Sequence, residues 1–346
     1  MDKYRAYVGS YTRGKSKGIY MYDFTSEDYT FVEQGTVEID NPSFLTLSAD
    51  GHYLYSNCDE GVASYKVLED GNLEYMNRHS IQGLRPCCLS VDTANEFLVS
   101  SGYYDGKLTV SRINPDGTVG EVTDEVFMKS PGSVISRNNR CHVNCAIFTP
   151  DEKYILAIDL GMDQIKVYEF KRPQGKIKLK DIIRCDIDSG PKHVIFANDQ
   201  KHIFLTHENA NMVSEYSYHL GEKGPAFEKI DQKSTLPEKF DEDNCAVTLR
   251  VTEDDRYLYV TNSGDNSVAI YQILEDGKLN KLCVLPVSGI YPRDLFILPD
   301  QKHFVSVNQE SDTLTFFETN YDKKYICMKG KPVSVPCPTC ITVKKL

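Results

Sequence analysis

Tryptophan is absent from the 346 residues, which rules out any repeat built on a Trp-Asp signature. No run of about 18 apolar residues occurs, and the opening MDKYRAYVGSYT has no apolar stretch of the signal-peptide kind. Neither a membrane span nor a secretory leader is therefore expected, and the chain reads as cytoplasmic. Basic blocks are missing too. Lys and Arg number 39 against 50 Asp and Glu, a net charge of −11 with no cluster to make a basic stripe, so a nucleic-acid partner is not expected. Cysteine is not scarce, at 11, but the count is odd and most sit in apolar, strand-like runs. Reduced thiols packed as small hydrophobes are expected. Cys337-Pro-Thr-Cys340 has no second pair, and no His/Asp/Glu set shows ligand spacing, so no metal and no cofactor are expected.

What is present favours β-structure. The 22 Tyr and 15 Phe, with a steady supply of Val and Ile, suit pleated surfaces. A unit recurs from Pro42, Pro86, Val143, Pro191, Ala246 and Pro292, at intervals of 44, 57, 48, 55 and 46 residues. Each copy reads as a short strand, a polar turn, a second strand, a polar turn and a third strand, followed by a weaker fourth such as Leu73–Ile81. Asp-Gly at 50–51, 70–71, 116–117 and 276–277 is a hairpin signal between apolar runs. Four antiparallel strands per unit at this period make propeller blades. The long second interval holds a Ser/Asn-rich stretch, Ser130 to Arg140, read as a surface loop. The seventh unit is split: Pro338–Val343 reads as a first strand, and Tyr4–Ser10 begins where the second strand lies in other units. The fold expected is all-β, one seven-bladed propeller domain over residues 1–346, its last blade closed by both ends of the chain.

In such a ring the first strand of each blade lines a central channel, whose mouth is a natural pocket. Counting back from the turn residues Asp50, Asp151, Asp199, Asp254 and Asp300 puts Ser43, Cys87, Asn144, Lys192, Val247, Arg293 and Thr339 at equivalent positions there. The second strand runs back to the same mouth. Eight or nine residues past the turn it brings Asp159, Glu208, Ser263 and Gln309. Two cations with carboxylates suit an anionic ligand that needs proton transfer; the plainer reading is that Lys192 and Glu208 simply pair. His142 and His193 flank the strand starts as further candidates.

At these residues the sequence resembles the propeller lactonases, the family that includes bacterial 6-phosphogluconolactonase and the fungal carboxy-cis,cis-muconate cyclase. The likeness runs through Tyr7-Val-Gly-Ser-Tyr-Thr, Asp159-Leu-Gly-Met-Asp, Gly190-Pro-Lys-His, His207-Glu-Asn, Asn262-Ser-Gly-Asp-Asn-Ser, and Pro292-Arg-Asp with Asn308-Gln309. The resemblance implies a site in which a His, two Arg and a Glu handle a lactone or its open carboxylate. Glu208 and Arg293 match without change. Lys192 stands for the first Arg, keeping the charge but not the bidentate fork. The His-x-His stretch reads His142-Val-Asn144, Thr248 stands where many relatives carry Glu, and Ser263 where many carry Arg.

The expectation that follows is a hydrolase opening a sugar-derived lactone, 6-phosphogluconolactone by resemblance, with a small anionic lactone or sugar acid as partner. Glu208, Arg293, Lys192 and His142 would carry catalysis; Asn144, His193, Asp159, Ser263 and Gln309 would bind substrate. Two alternatives stay open on the residues alone: an isomerase of the muconate-cyclase kind, and a non-catalytic propeller that kept an anion-binding mouth.

Overall fold

The computed structural model describes residues 2–25, 27–28, 30–128, 140–222, 224–323 and 325–346; the loop expected at Ser130 to Arg140 lies, but for Arg140, outside them. Among the described residues, 28 strands form seven four-stranded antiparallel sheets, with two short 3-10 turns as the only helix. These are the blades of the seven-bladed all-β fold read from the repeat. Contacts divide the chain into two compact units, residues 1–184 with 335–346, and residues 185–334.

The first unit holds four sheets. One of them is assembled from both ends of the chain: Lys3–Ser10 pairs with Pro338–Lys345, from Tyr4↔Lys345 to Ser10↔Pro338, and on its other side with Gly18–Thr25. The expected closure of the split unit is therefore present. Its cores include Tyr7, Ile19, Leu54, Tyr65 and Cys340 in one cluster, and Phe97, Val110, Ile155 and Tyr168 in another. The second unit holds three sheets, beginning at Pro191–Phe196, Ala246–Val251 and Pro292–Ile297. Phe204, Leu249, Val260 and Tyr271 pack one of its cores, and Tyr259, Ile270, Leu295, Phe304 and Phe317 the other.

Burial explains the strand patterns. Second strands such as Tyr257–Asn262 and His303–Asn308 are covered on both faces and read as nearly continuous apolar runs. Fourth strands such as Leu73–Ser80 alternate, because one face meets water. The turns between first and second strands share one chemistry. Asp50, Asp151, Asp199, Asp254 and Asp300 each accept, through Oδ1, the backbone N–H two residues on, at 2.7–3.2 Å. The residue after Asp is left-handed in all five: Gly51 at φ 69° and, without glycine, Glu152, Gln200, Asp255 and Gln301 at 53–62°. Constant turn length is what makes counting from the turn a usable register.

One backbone irregularity recurs where the site was expected. In five sheets the pairing of the first strand with the second slips near its start: Val143/Cys145, Pro191/Val194, Ala246/Leu249, Pro292/Asp294, and opposite Gly9/Ser10. The residue or residues passed over include Asn144, Lys192 with His193, Val247 with Thr248, Arg293 and Thr339. These are β-bulges, which release a residue from the ladder and re-aim its side chain.

Candidate functional site

In the second unit, three of the expected residues meet around one carboxylate. Glu208 follows the strand His202–His207 directly, anchored by its N–H to the Gly190 carbonyl at 2.7 Å. Lys192, released by the bulge opposite, donates from Nζ to Glu208 Oε2 at 2.6 Å. The Lys192 and Glu208 side chains are 12% and 22% exposed, so the pair is largely desolvated yet open at one edge. Burial pushes the Glu208 carboxyl up, but the charge and hydrogen bond of Lys192, a hydrogen bond from the Cys245 thiol and the charge of Arg293 outweigh it. They hold the group below the ordinary carboxylate range. Arg293 rises from its own bulge with its guanidinium 6.0 Å from the centre of the Tyr291 ring, within cation–π reach.

The other candidates of this unit are engaged differently. Ser263 is buried and donates to the Pro292 carbonyl at 2.9 Å, a stitch between strands. Gln309 is buried beside Glu310, to which its amide N–H donates at 2.7 Å, while its Oε1 finds no partner among the described residues. His193 turns toward Thr248 and Leu249. The Leu249 N–H lies 3.3 Å from its Nδ1, which must accept, so the ring proton sits on Nε2. Thr248 Oγ1, 3.1 Å from the same nitrogen, itself accepts from Arg250, whose other arm reaches Asp294 Oδ1 at 2.7 Å. Burial, then the charges of Arg250 and Lys192, lower the His193 pKa to about 3. His193 is thus a neutral ring whose Nδ1 lone pair is already used. It can donate from Nε2 but is no general base at this nitrogen.

In the first unit, His142 and Asp159 build a network of their own. Asp159 is the last paired residue of its strand, opposite Val143, which makes it the counterpart of His207, Asn262 and Asn308 rather than of Glu208. It stands one residue short of the register position that Glu208 occupies. Asp159 is completely buried, accepts the His142 backbone N–H at 3.0 Å and pairs with Lys166 at 2.7 Å. His142 stacks on Tyr103 at 4.2 Å and donates from Nδ1 to the Tyr103 carbonyl at 2.6 Å, which puts the remaining ring lone pair on Nε2. Cys87 Sγ approaches the Asn144 carbonyl at 3.2 Å. Of the remaining register positions, Ser43 accepts from Asn57 at 2.9 Å, Val247 is buried, and Thr339 Oγ1 is buried without a partner among the described residues.

The residue missed from sequence is Cys245, whose hydrogen bond is among the causes that lower the Glu208 pKa. It is one of eleven cysteines and sits just ahead of its strand, where nothing in its spacing sets it apart. Among the described residues, no group of three or more His, Cys, Asp or Glu comes together in a way that could hold a metal ion. Among the described residues, no helix is long and apolar enough to cross a membrane.

Seven antiparallel blades, with a lysine and an arginine on bulged first strands and a carboxylate just past a second strand, define a β-propeller with a polar, cation-rich site. The chain belongs to the seven-bladed β-propeller lactonase family, whose model matches residues 5–343 and so runs through both units. It is 30% identical to 6-phosphogluconolactonase of Bacillus subtilis, over 99% of this chain and 98% of that protein. Among solved structures, the periplasmic gluconolactonase of Pseudomonas aeruginosa superposes with a TM-score of 0.90 at 25% identity, covering 99% of each chain. A Lactobacillus plantarum protein does so with a TM-score of 0.91 at 28% identity, over 99% of this chain and 100% of its own.

Proposed function

We propose that this protein hydrolyses a sugar-derived lactone carrying an anionic group, 6-phosphogluconolactone being the substrate that the Bacillus subtilis relative's name suggests. The observation that carries the reading is the Glu208 carboxylate, held ionised between Lys192 and the charge of Arg293 at a largely desolvated position. Hydrolysis of a lactone needs a water oriented and relieved of a proton, and a positive field where the carbonyl oxygen gathers charge. Glu208 serves the first need, Arg293 and Lys192 the second. A carboxylate with a lowered pKa is a weak base on its own. An incoming phosphate or carboxylate competes for Lys192, and as that ammonium turns to the ligand, burial raises the basicity of Glu208. Substrate binding and activation of the base are coupled in this way.

The reading places the protein in the cytoplasm, with a phosphorylated sugar lactone as its substrate. The test is proton release from freshly made 6-phosphogluconolactone against an enzyme-free control, run in isotopically labelled water. Release well above the control, with solvent oxygen in the product acid, is expected. Thermal stabilisation by phosphorylated sugar acids without turnover would replace the hydrolase with a binding protein. Ring opening without solvent oxygen would replace it with an isomerase.

A further inference from the structure

The bulge in Pro191–Phe196 passes over two residues, and they take different partners. Lys192 meets Glu208, whereas His193 meets Ala246–Val251, the first strand of another sheet. The Leu249 N–H, which can only donate, lies 3.3 Å from His193 Nδ1, so that nitrogen carries no proton. The Thr248 hydroxyl, 3.1 Å away, must then donate to it as well. Arg250 fixes the hydroxyl from behind. Its Nη1 donates to Thr248 Oγ1 at 3.3 Å and to the Leu249 carbonyl at 3.0 Å, and its Nη2 donates to the buried Asp294 at 2.7 Å. A chain of hydrogen bonds thus runs from Asp294, the residue after Arg293, through Arg250 and Thr248 to His193. Its backbone is anchored too: the N–H groups of His193 and Thr248, released from the ladder by bulges, donate to the hydroxyls of Thr206 and Thr261, each at 3.1 Å. Only Nε2 is left over. The ring is half-buried, and this nitrogen has no hydrogen-bond partner among the described residues.

We propose that Asp294, Arg250 and Thr248 are positioning residues that hold His193 as a neutral ring, its Nε2–H offered to the carbonyl oxygen of the bound lactone. The choice of that oxygen rests on the hydrolytic reading above; the tautomer follows from the hydrogen bonds alone. As water adds to a lactone, charge gathers on the carbonyl oxygen, and a donor already fixed in place stabilises it without reorganising. Lys192 and Arg293 are divided between this oxygen and the anionic group of the ligand. An uncharged N–H is drawn less strongly to that group and stays with the carbonyl. The ring also keeps its state as the site fills, because the charges of Arg250 and Lys192 oppose a second proton. Arg250 cannot give up its own proton, so the direction of every bond in the chain is set.

The test uses the full chain labelled with nitrogen-15 histidine. Long-range nitrogen–proton correlation spectra separate a protonated ring nitrogen from a bare one, and His193 is picked out of the eight histidines by its loss in His193→Gln. At neutral pH the wild-type ring should carry its proton on Nε2 and none on Nδ1. Adding 6-phosphogluconate, the open acid, should shift the Nε2 signal. Thr248→Val keeps the shape and removes the hydroxyl; the ring should then populate both tautomers, and kcat should fall severalfold while KM changes little. His193→Leu should lower kcat per folded molecule about tenfold to a hundredfold, as for one donor among several. His193→Gln, whose amide N–H can stand in for Nε2–H, should recover part of that loss. A wild-type ring protonated on Nδ1, a His193 signal unmoved by 6-phosphogluconate, or wild-type kcat in His193→Leu would each overturn the proposal and leave the hydrolytic reading standing. Absence of lactone turnover, with the Nε2 tautomer and the ligand shift both present, would instead overturn the hydrolytic reading and uphold the positioning chain.

Discussion

Two lysine–carboxylate pairs sit at nearly matching places in different sheets, and they are built for different ends. Asp159 and Lys166 meet at 2.7 Å with the carboxylate completely buried, and its other oxygen takes the His142 backbone N–H. Glu208 and Lys192 meet at 2.6 Å with both side chains partly open. The first carboxylate ends the paired part of its strand; the second comes one residue later, beyond the ladder and opposite a bulge. A single residue of register separates a structural clasp from a group that can meet a ligand. Sealed pairs are costly to break, because the surviving charge stays buried. Open pairs can exchange partners.

Glu208→Gln should have the largest effect, lowering turnover about 100-fold or more with little loss of binding, as expected for removal of a general base of preserved shape. Steady-state kinetics beside ligand-induced thermal shifts check this. Asp159→Asn should do the reverse, since it leaves Lys166 facing a neutral amide. A loss of about 3–5 kcal/mol is expected, seen as a lower denaturation midpoint, with turnover per folded molecule close to wild type. Arg293→Ala removes a charge-assisted contact and should weaken binding of a phosphorylated sugar acid about tenfold to a hundredfold, measured by calorimetry.

The effect of Lys192→Met is smaller in size and specific in direction. A base works when ionised, so activity is present above its pKa and lost as pH falls through it. With Lys192 in place, the Glu208 pKa lies below the ordinary 4.5; without it, burial prevails and the acid limb of the pH–rate profile should move upward. Glu215, in the same sheet, shows what burial does beside other carboxylates. Both its oxygens are buried without a partner among the described residues, and burial, then the charges of Asp231, Asp199 and Asp276, push its pKa up to about 8. Its folded pKa is raised, so stability should be greatest below about pH 4.5, as far as this group decides, and be lost as pH rises through 8. Denaturation midpoints across that window should fall less steeply in Glu215→Gln.

The architecture was legible because it is written locally and many times over. Asp-led turns of constant length recur in five blades, strands of alternating or continuous apolarity recur throughout, and the complementary chain ends, Tyr4–Ser10 and Pro338–Val343, follow from the same pattern. The register carried Lys192, Arg293 and Glu208 to their places for that reason. It grouped Asp159, eight residues past its turn, with residues nine past theirs, and one residue is half of a strand's two-residue period. Side-chain partnerships were beyond it. That Cys245 lowers the Glu208 pKa, or that His193 turns to Leu249, depends on bulges and rotamers set by neighbouring strands, which leave no mark on the spacing of the residues themselves.

The division between the two pairs is tested most directly by carrying Glu208→Gln and Asp159→Asn together through proton release from fresh 6-phosphogluconolactone and thermal melting, with rates expressed per folded molecule. The account predicts a crossing: Glu208→Gln melts near wild type and loses turnover, whereas Asp159→Asn melts earlier and keeps it. Turnover lost with Asp159→Asn and retained with Glu208→Gln would contradict it.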